Sequence, residues 1–137
     1  MRVFLDTNVL VSAFATRGLC ADVLRTVLSE HELVTGEVIL VELDRVLSEK
    51  LRLPRGHVDE IVGLLKEQTV VPTPTAPLSL DLRDEDDRWI IASAIAAQTE
   101  LFVTGDRELL DLDTRGLSFR ILSPRAFWSL LANKKDQ

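Results

Sequence analysis

Short apolar runs in this chain alternate with longer stretches in which apolar residues recur every three or four positions. In "RVFLDTNVLV", Val3, Phe4 and Leu5 read as a buried strand over 2–5 that runs out at the charged Asp6. A helical pattern follows from about 7, is interrupted near Gly18 and continues to about 30. "ELVTG" reads as strand two, 37–51 as a helix, and Pro54 opens a further helix to about 68. "TVVP" is strand three, 85–98 a helix, "ELFVTG" strand four, "RELLDL" a short helix and "SFRIL" strand five. A final helix over 124–132 carries Pro124 in its first turn, and the tail 133–137 is expected to fray. The segment "VVPTPTAPLSLDLRD", with Pro72, Pro74 and Pro77, reads as a crossover loop ahead of a helix. This alternation predicts an α/β fold of three layers, α/β/α, with a central, mostly parallel sheet of about five strands.

Composition narrows the setting. A length of 137 residues, with 46% apolar and 28% charged, suits one globular domain over 1–137. A single cysteine, Cys20, excludes an internal disulfide framework and a cysteine-rich zinc site within one chain, and a reducing cytoplasm is the expected location. No charged leader with a cleavage pattern opens the chain, and no apolar segment approaches membrane-spanning length, so no membrane contact is expected. A net charge of −6 argues against a general nucleic-acid binder, and is compatible with an enzyme that gathers carboxylates and loads them with cations.

In open parallel sheets ligands bind beyond the carboxyl ends of the strands, so acids placed there matter. Asp6 ends strand one, and Asp106 follows strand four in "LFVTGD", after Gly105. Each could simply cap a helix, and two in equivalent positions weaken that reading. Glu42 falls between Val38 and Val46 at the edge of its helix's apolar arc, where a carboxylate needs a partner, a cation or a path to water. In "DLRDEDDRWIIASAIAA", acids at a helix start also favour the positive end of the dipole. With Asp84 as N-cap, Asp87 is the third helical residue and shares a face with Ile91 and Ala94, while Asp86 is its nearest competitor. Four elements can thus each offer one acid: Asp6, Glu42, Asp87 and Asp106. Converging carboxylates repel one another unless a hard cation such as Mg²⁺ or Mn²⁺ joins them, and with one or two such ions they suit phosphodiester hydrolysis. His31 and His57 read as surface residues, Cys20 as packing, and Trp89 and Trp128 as core or dimer contacts rather than stacking platforms.

Taken together, "FLDTNVLVSA", "VILVELDRVL", "DEDDRWIIASAIA" and "LFVTGDRELL" resemble the PIN-domain family of metal-dependent ribonucleases, in order and spacing and over nearly the whole chain. The subtype is similar to the toxins of toxin–antitoxin pairs related to VapC. The resemblance implies an endoribonuclease that uses one or two Mg²⁺ or Mn²⁺ ions, with Asp6, Glu42, Asp87 and Asp106 as acidic metal-site residues and Asn8 and Thr104 supporting them. It also implies an RNA substrate, a cognate antitoxin protein and a homodimer or higher homo-oligomer. Asp84 or Asp86 could share the role of Asp87. Two divalent ions would move the formal charge from −6 to about −2, easing RNA approach. Arg45, Lys50, Arg52, Arg55, Arg88 and Arg107 are candidate phosphate holders, with affinity that falls steeply in salt.

Three rivals are weighed against this. A phosphatase of the haloacid dehalogenase type needs an aspartate two residues after the first, where Asn8 stands. A response-regulator receiver wants a lysine at the end of a late strand, and none is there. A PIN fold that acts through a protein partner with little or no catalysis has a full acid set against it. The apolar face of "PRAFWSLLA" could serve an antitoxin, a second copy or the core.

Overall fold

A computed structural model describes residues 1–77 and 82–135; residues 78–81 of the proline-rich crossover and the tail residues 136–137 lie outside the described residues. The apolar runs form a five-stranded sheet of β1 (Arg2–Leu5), β2 (Glu32–Gly36), β3 (Thr69–Val71), β4 (Leu101–Val103) and β5 (Arg120–Leu122), in the order β3-β2-β1-β4-β5. Every pairing is parallel, with Phe4 opposite Val34 on one side and Phe102 on the other. Around it lie α1 (Thr7–Ala15), α2 (Leu19–Glu30), α3 (Glu37–Arg45), α4 (Arg55–Lys66), α5 (Glu85–Ala96), α6 (Arg107–Leu110) and α7 (Pro124–Lys135).

The connectivity explains the layers. From β1 the chain steps outward to β2 and β3, then returns across the sheet to β4 and β5 on the other side of β1. Right-handed crossovers place the helices of outward and returning connections on opposite faces. Accordingly α1 packs on α2 and α3, and α2 on α7, while α5 lies against β2. The result is a three-layer α/β/α fold whose strand order reverses between β1 and β4.

Both central strands are buried on both faces, as continuous apolar runs require. Val3, Phe4, Leu5, Phe102 and Val103 have no exposed surface. Phe4 stacks on Phe102 at 5.3 Å between ring centroids, and Phe102 on Phe119 at 5.8 Å. At the end of β2, Gly36 admits α5 closely, since a Cβ there would stand 3.1 Å from Cβ of Ser93.

Three sequence expectations shift. The helix expected over 37–51 is α-helical only to Arg45 and continues as a π-helical turn over Val46–Lys50. The wider turn is closed by Leu51 N–H donating to the Val46 carbonyl, and Arg52 in the left-handed region (φ 54°) ends it ahead of Pro54. The interruption near Gly18 separates two helices, with Gly18 as extended N-cap of α2. The last helix runs on to Lys135, so 133–135, expected to fray, are helical. None of the helices among the described residues is long and apolar enough to cross a membrane.

Candidate active site

The carboxyl edge of the sheet is built from strand ends that bond to one another. Asp6 N–H donates to the Val103 carbonyl (2.9 Å) and Thr104 N–H to that of Leu122 (3.0 Å), so the first residues past β1 and β4 continue the parallel ladder. This places the carboxyl ends of β1 and β4 at the reversal in strand order, the crevice where open α/β sheets bind ligands.

Asp6 is 4% exposed and uses both carboxylate oxygens. Oδ1 accepts the Thr7 N–H (2.8 Å), which makes Asp6 the N-cap of α1. Oδ2 accepts the Thr104 hydroxyl (2.7 Å) and, at 3.4 Å, the Asn8 side-chain amide. The Thr104 oxygen in turn accepts the Asp106 N–H (3.0 Å), and Asn8 Oδ1 accepts the Gly105 N–H (3.1 Å). A closed circuit of side chains therefore fixes Asp6 against the loop that carries Asp106. Asp106 caps α6 through Glu108 N–H (2.9 Å). The capping reading holds for both aspartates, and it does not separate them from the other acids, because each cap bond is accepted by one carboxylate oxygen.

The run of acids at 84–87 is resolved by helix phase. Asp84 is the N-cap of α5, accepting the Asp86 N–H (2.9 Å). Asp87 is turned inward and only 7% exposed, whereas Asp84 and Asp86 are exposed. Burial pushes the Asp87 carboxyl up to about 7, and the charges of Asp106, Asp6, Asp84 and Glu108 push in the same direction. Asp6 is raised to about 6, chiefly by burial, with the Thr104 and Thr7 hydrogen bonds opposing and the charges of Glu42 and Asp106 adding. Glu42, half-buried on α3, thus shares the field. Asp6 thus feels Glu42 and Asp106, Asp87 feels Asp6 and Asp106, and Glu108, which sequence reasoning passed over, acts on Asp87 as well. Its signal was its position two residues after Asp106 at the start of α6. Among the described residues no three acidic, histidine or cysteine side chains already stand at metal-ligating spacing. The acids form an electrostatic cluster rather than a closed cage.

The cations divide. Arg45 is exposed and lines, with Glu42, an open groove of about 420 Å³ between α3 and α5. Arg107 is exposed beside Asp106. Arg88 donates to the Leu82 carbonyl (3.1 Å), so its guanidinium braces the loop before α5. Arg55 forms a two-pronged pair with Asp44 (2.8 and 3.1 Å). Lys50 and Arg52 sit in and after the π-helical turn and do not line the groove. Trp89, half-buried, lines it too.

Thr104→Val is expected to remove the Asp6 and Asp106 bonds together at nearly constant volume. It should cost about 1–3 kcal/mol in urea unfolding at pH 8, above the Asp6 value of about 6. An unchanged midpoint would show that the circuit does not hold the site.

Fold and site together define an α/β protein with an acidic cluster at its topological switch point. Residues 2–108 match the PIN domain family model, and the chain belongs to that family. Among solved structures, the chain is similar to VapBC2 from Rickettsia felis, bound to a DNA fragment from its promoter, with 12% identity and a TM-score of 0.60 over 90% of this chain and 98% of that one. It is also similar to FitAB bound to the IR36 DNA fragment, with 15% identity and a TM-score of 0.58 over 89% of this chain and 94% of that one. At these identities the likeness shows the fold. No curated protein sequence matches the chain.

Proposed function

We propose that this chain is a divalent-cation-dependent endoribonuclease and the toxin partner of an antitoxin protein. The observation that carries the reading is the convergence of Asp6, Asp87 and Asp106 at the β1/β4 reversal, with Glu42 in the same field. Buried carboxylates that raise one another's pKa are an unfavourable arrangement unless a cation or a proton offsets them. An all-oxygen donor set suits hard ions such as Mg²⁺ or Mn²⁺. Asp6, Glu42, Asp87 and Asp106 would hold one or two of them, which when bound supply an activated water and charge stabilisation at phosphorus.

The chain's own residues do the positioning. Thr104 and Asn8 fix the rotamer of Asp6 and tie it to the backbone at 105–106. Burial of Asp6 and Asp87 keeps water away from two carboxylates that would otherwise be solvated singly. Arg45 and Arg107, both exposed, offer phosphate contacts. The antitoxin and homo-oligomer readings draw on family membership and on the toxin–antitoxin assemblies that share the fold.

The test is cleavage of single-stranded RNA by the purified chain with Mn²⁺ or Mg²⁺, with EDTA, and with Asp6→Asn. Cleavage should need the ion and Asp6. Activity that survives both chelation and the substitution would overturn the proposal, and the absence of cleavage with either ion would favour a PIN fold that acts by binding alone.

A further inference from the structure

The groove between α3 and α5 borders the acid cluster through Glu42 but is not explained by it, and it is distinct from a second open cavity of about 450 Å³ lined by Asp44, Arg45, Glu49 and Lys66. Its floor and one wall are apolar, from Val38, Ile90 and the half-buried Trp89, and its rim carries Val41, which is 71% exposed. Polar groups make up the rest of the lining: Arg45 and Glu42 on α3, Thr73 after β3 and Asp86 on α5. The loop after β3 closes one end, held to α3 by Thr73 N–H donating to Glu37 Oε1 (2.7 Å). At about 420 Å³ the groove falls within the roughly 300–1,000 Å³ range of small-ligand sites.

Glu42 belongs both to the groove and to the acid field, so the groove opens directly onto the proposed site of hydrolysis. Whatever occupies it sits next to the scissile phosphate. Two carboxylates on its edges, Glu42 and Asp86, disfavour a phosphate inside, while an aromatic ring flanked by aliphatic side chains favours a flat, neutral π system. Arg45 at the rim complements the charge of the backbone running past.

We propose that this groove is a nucleobase subsite. It holds one unpaired base flanking the cut, against Trp89, with Arg45 on the adjacent phosphate and the Asp86 carboxylate accepting from the base's exocyclic amine. It therefore selects an amino-bearing base over uracil. The separation of roles within the acidic run follows: Asp87 turns into the acid cluster and Asp86 reads the base. This inference rests on the ribonuclease reading.

Two measurements test it apart from that reading. In the first, a randomised single-stranded RNA is cut with Mn²⁺ and the cut sites are sequenced. Wild type should avoid uridine at one flanking position. Trp89→Leu should raise KM for the preferred sequence about tenfold or more and flatten that preference, with kcat changed less, and Trp89→Phe should restore much of both. In the second, Trp128→Phe leaves Trp89 as the sole indole. Its fluorescence is followed while oligocytidine or oligouridine is added with Ca²⁺ in place of the catalytic ion. Stronger quenching by oligocytidine supports the subsite. Cleavage with an unchanged base preference and KM in a natively melting Trp89→Leu, or no quenching by either oligomer, overturns it. If RNA is bound with quenching but never cut, the hydrolytic reading fails while the base subsite stands.

Discussion

Replacing Asp87 by Asn is expected to do two opposite things: suppress metal-dependent RNA cleavage and make the ion-free protein more stable. Asp87 is buried, and its carboxyl is held up at about 7 by burial and by the charges of Asp106, Asp6, Asp84 and Glu108, against an ordinary 3.8. Between those values the folded chain keeps a proton that the unfolded chain has lost. Stability therefore falls as pH rises through this window, by up to about 1.4 kcal/mol per pH unit, a limit that water at the open side of the cluster reduces. Asn removes the titration and the repulsion. In EDTA, the melting temperature of Asp87→Asn should exceed that of wild type at pH 8, and the gap should close by pH 4. Activity should drop by more than the roughly 10–100-fold that loss of an outer-shell partner costs at metal sites. A variant that is less stable than wild type at pH 8, or that still cuts RNA at near the wild-type rate, would remove Asp87 from the proposed site.

The second large effect lies beneath the site. Phe102 has no exposed surface and is stacked between Phe4 of β1 and Phe119. Those rings join the two strands whose ends carry Asp6 and Asp106. Phe102→Ala is expected to lose about 3–5 kcal/mol, from the buried area removed and the cavity left between two rings. A loss of that size is a large part of a small domain's stability. Urea unfolding followed by far-UV circular dichroism checks it, and a loss under about 1 kcal/mol would show that the rings beside it close the gap.

Much of this was legible because the signals were local. Val3–Leu5 and Leu101–Val103 are apolar runs that stop at a polar residue, so Asp6 and Asp106 could be placed at strand ends without knowing the strand order. Helix phase separated Asp87 from Asp84 and Asp86, since an N-cap at Asp84 fixes which acid turns inward. The strand order itself depends on long-range pairing, which a local pattern does not carry. The break of the helix at Arg45 into a π-helical turn has no marker in "RVLSEKL", where residues remain good helix formers. The pairing of Arg55 with Asp44 joins two helices across a turn, so the local pattern does not show it. The groove beside Trp89 was hidden for a related reason. α5 looks apolar nearly all round, and only the opposing face of α3 shows that part of its surface borders a groove.

The bond from Thr104 to Asp6 spans 98 residues of chain. On a ribosome adding about 5–20 residues per second, the two partners emerge roughly 5–20 s apart. Through that interval β1 has β2 as its only available neighbour, because β4 and the loop bearing Asp106 have not been made. An unfinished chain thus carries Asp6 and Glu42 but no completed acid cluster. For a protein whose proposed target is RNA, this order of synthesis delays the hazard until the segment bearing Asp106 has been made. It also gives a partner protein that recognises the assembled sheet edge a defined moment at which to act.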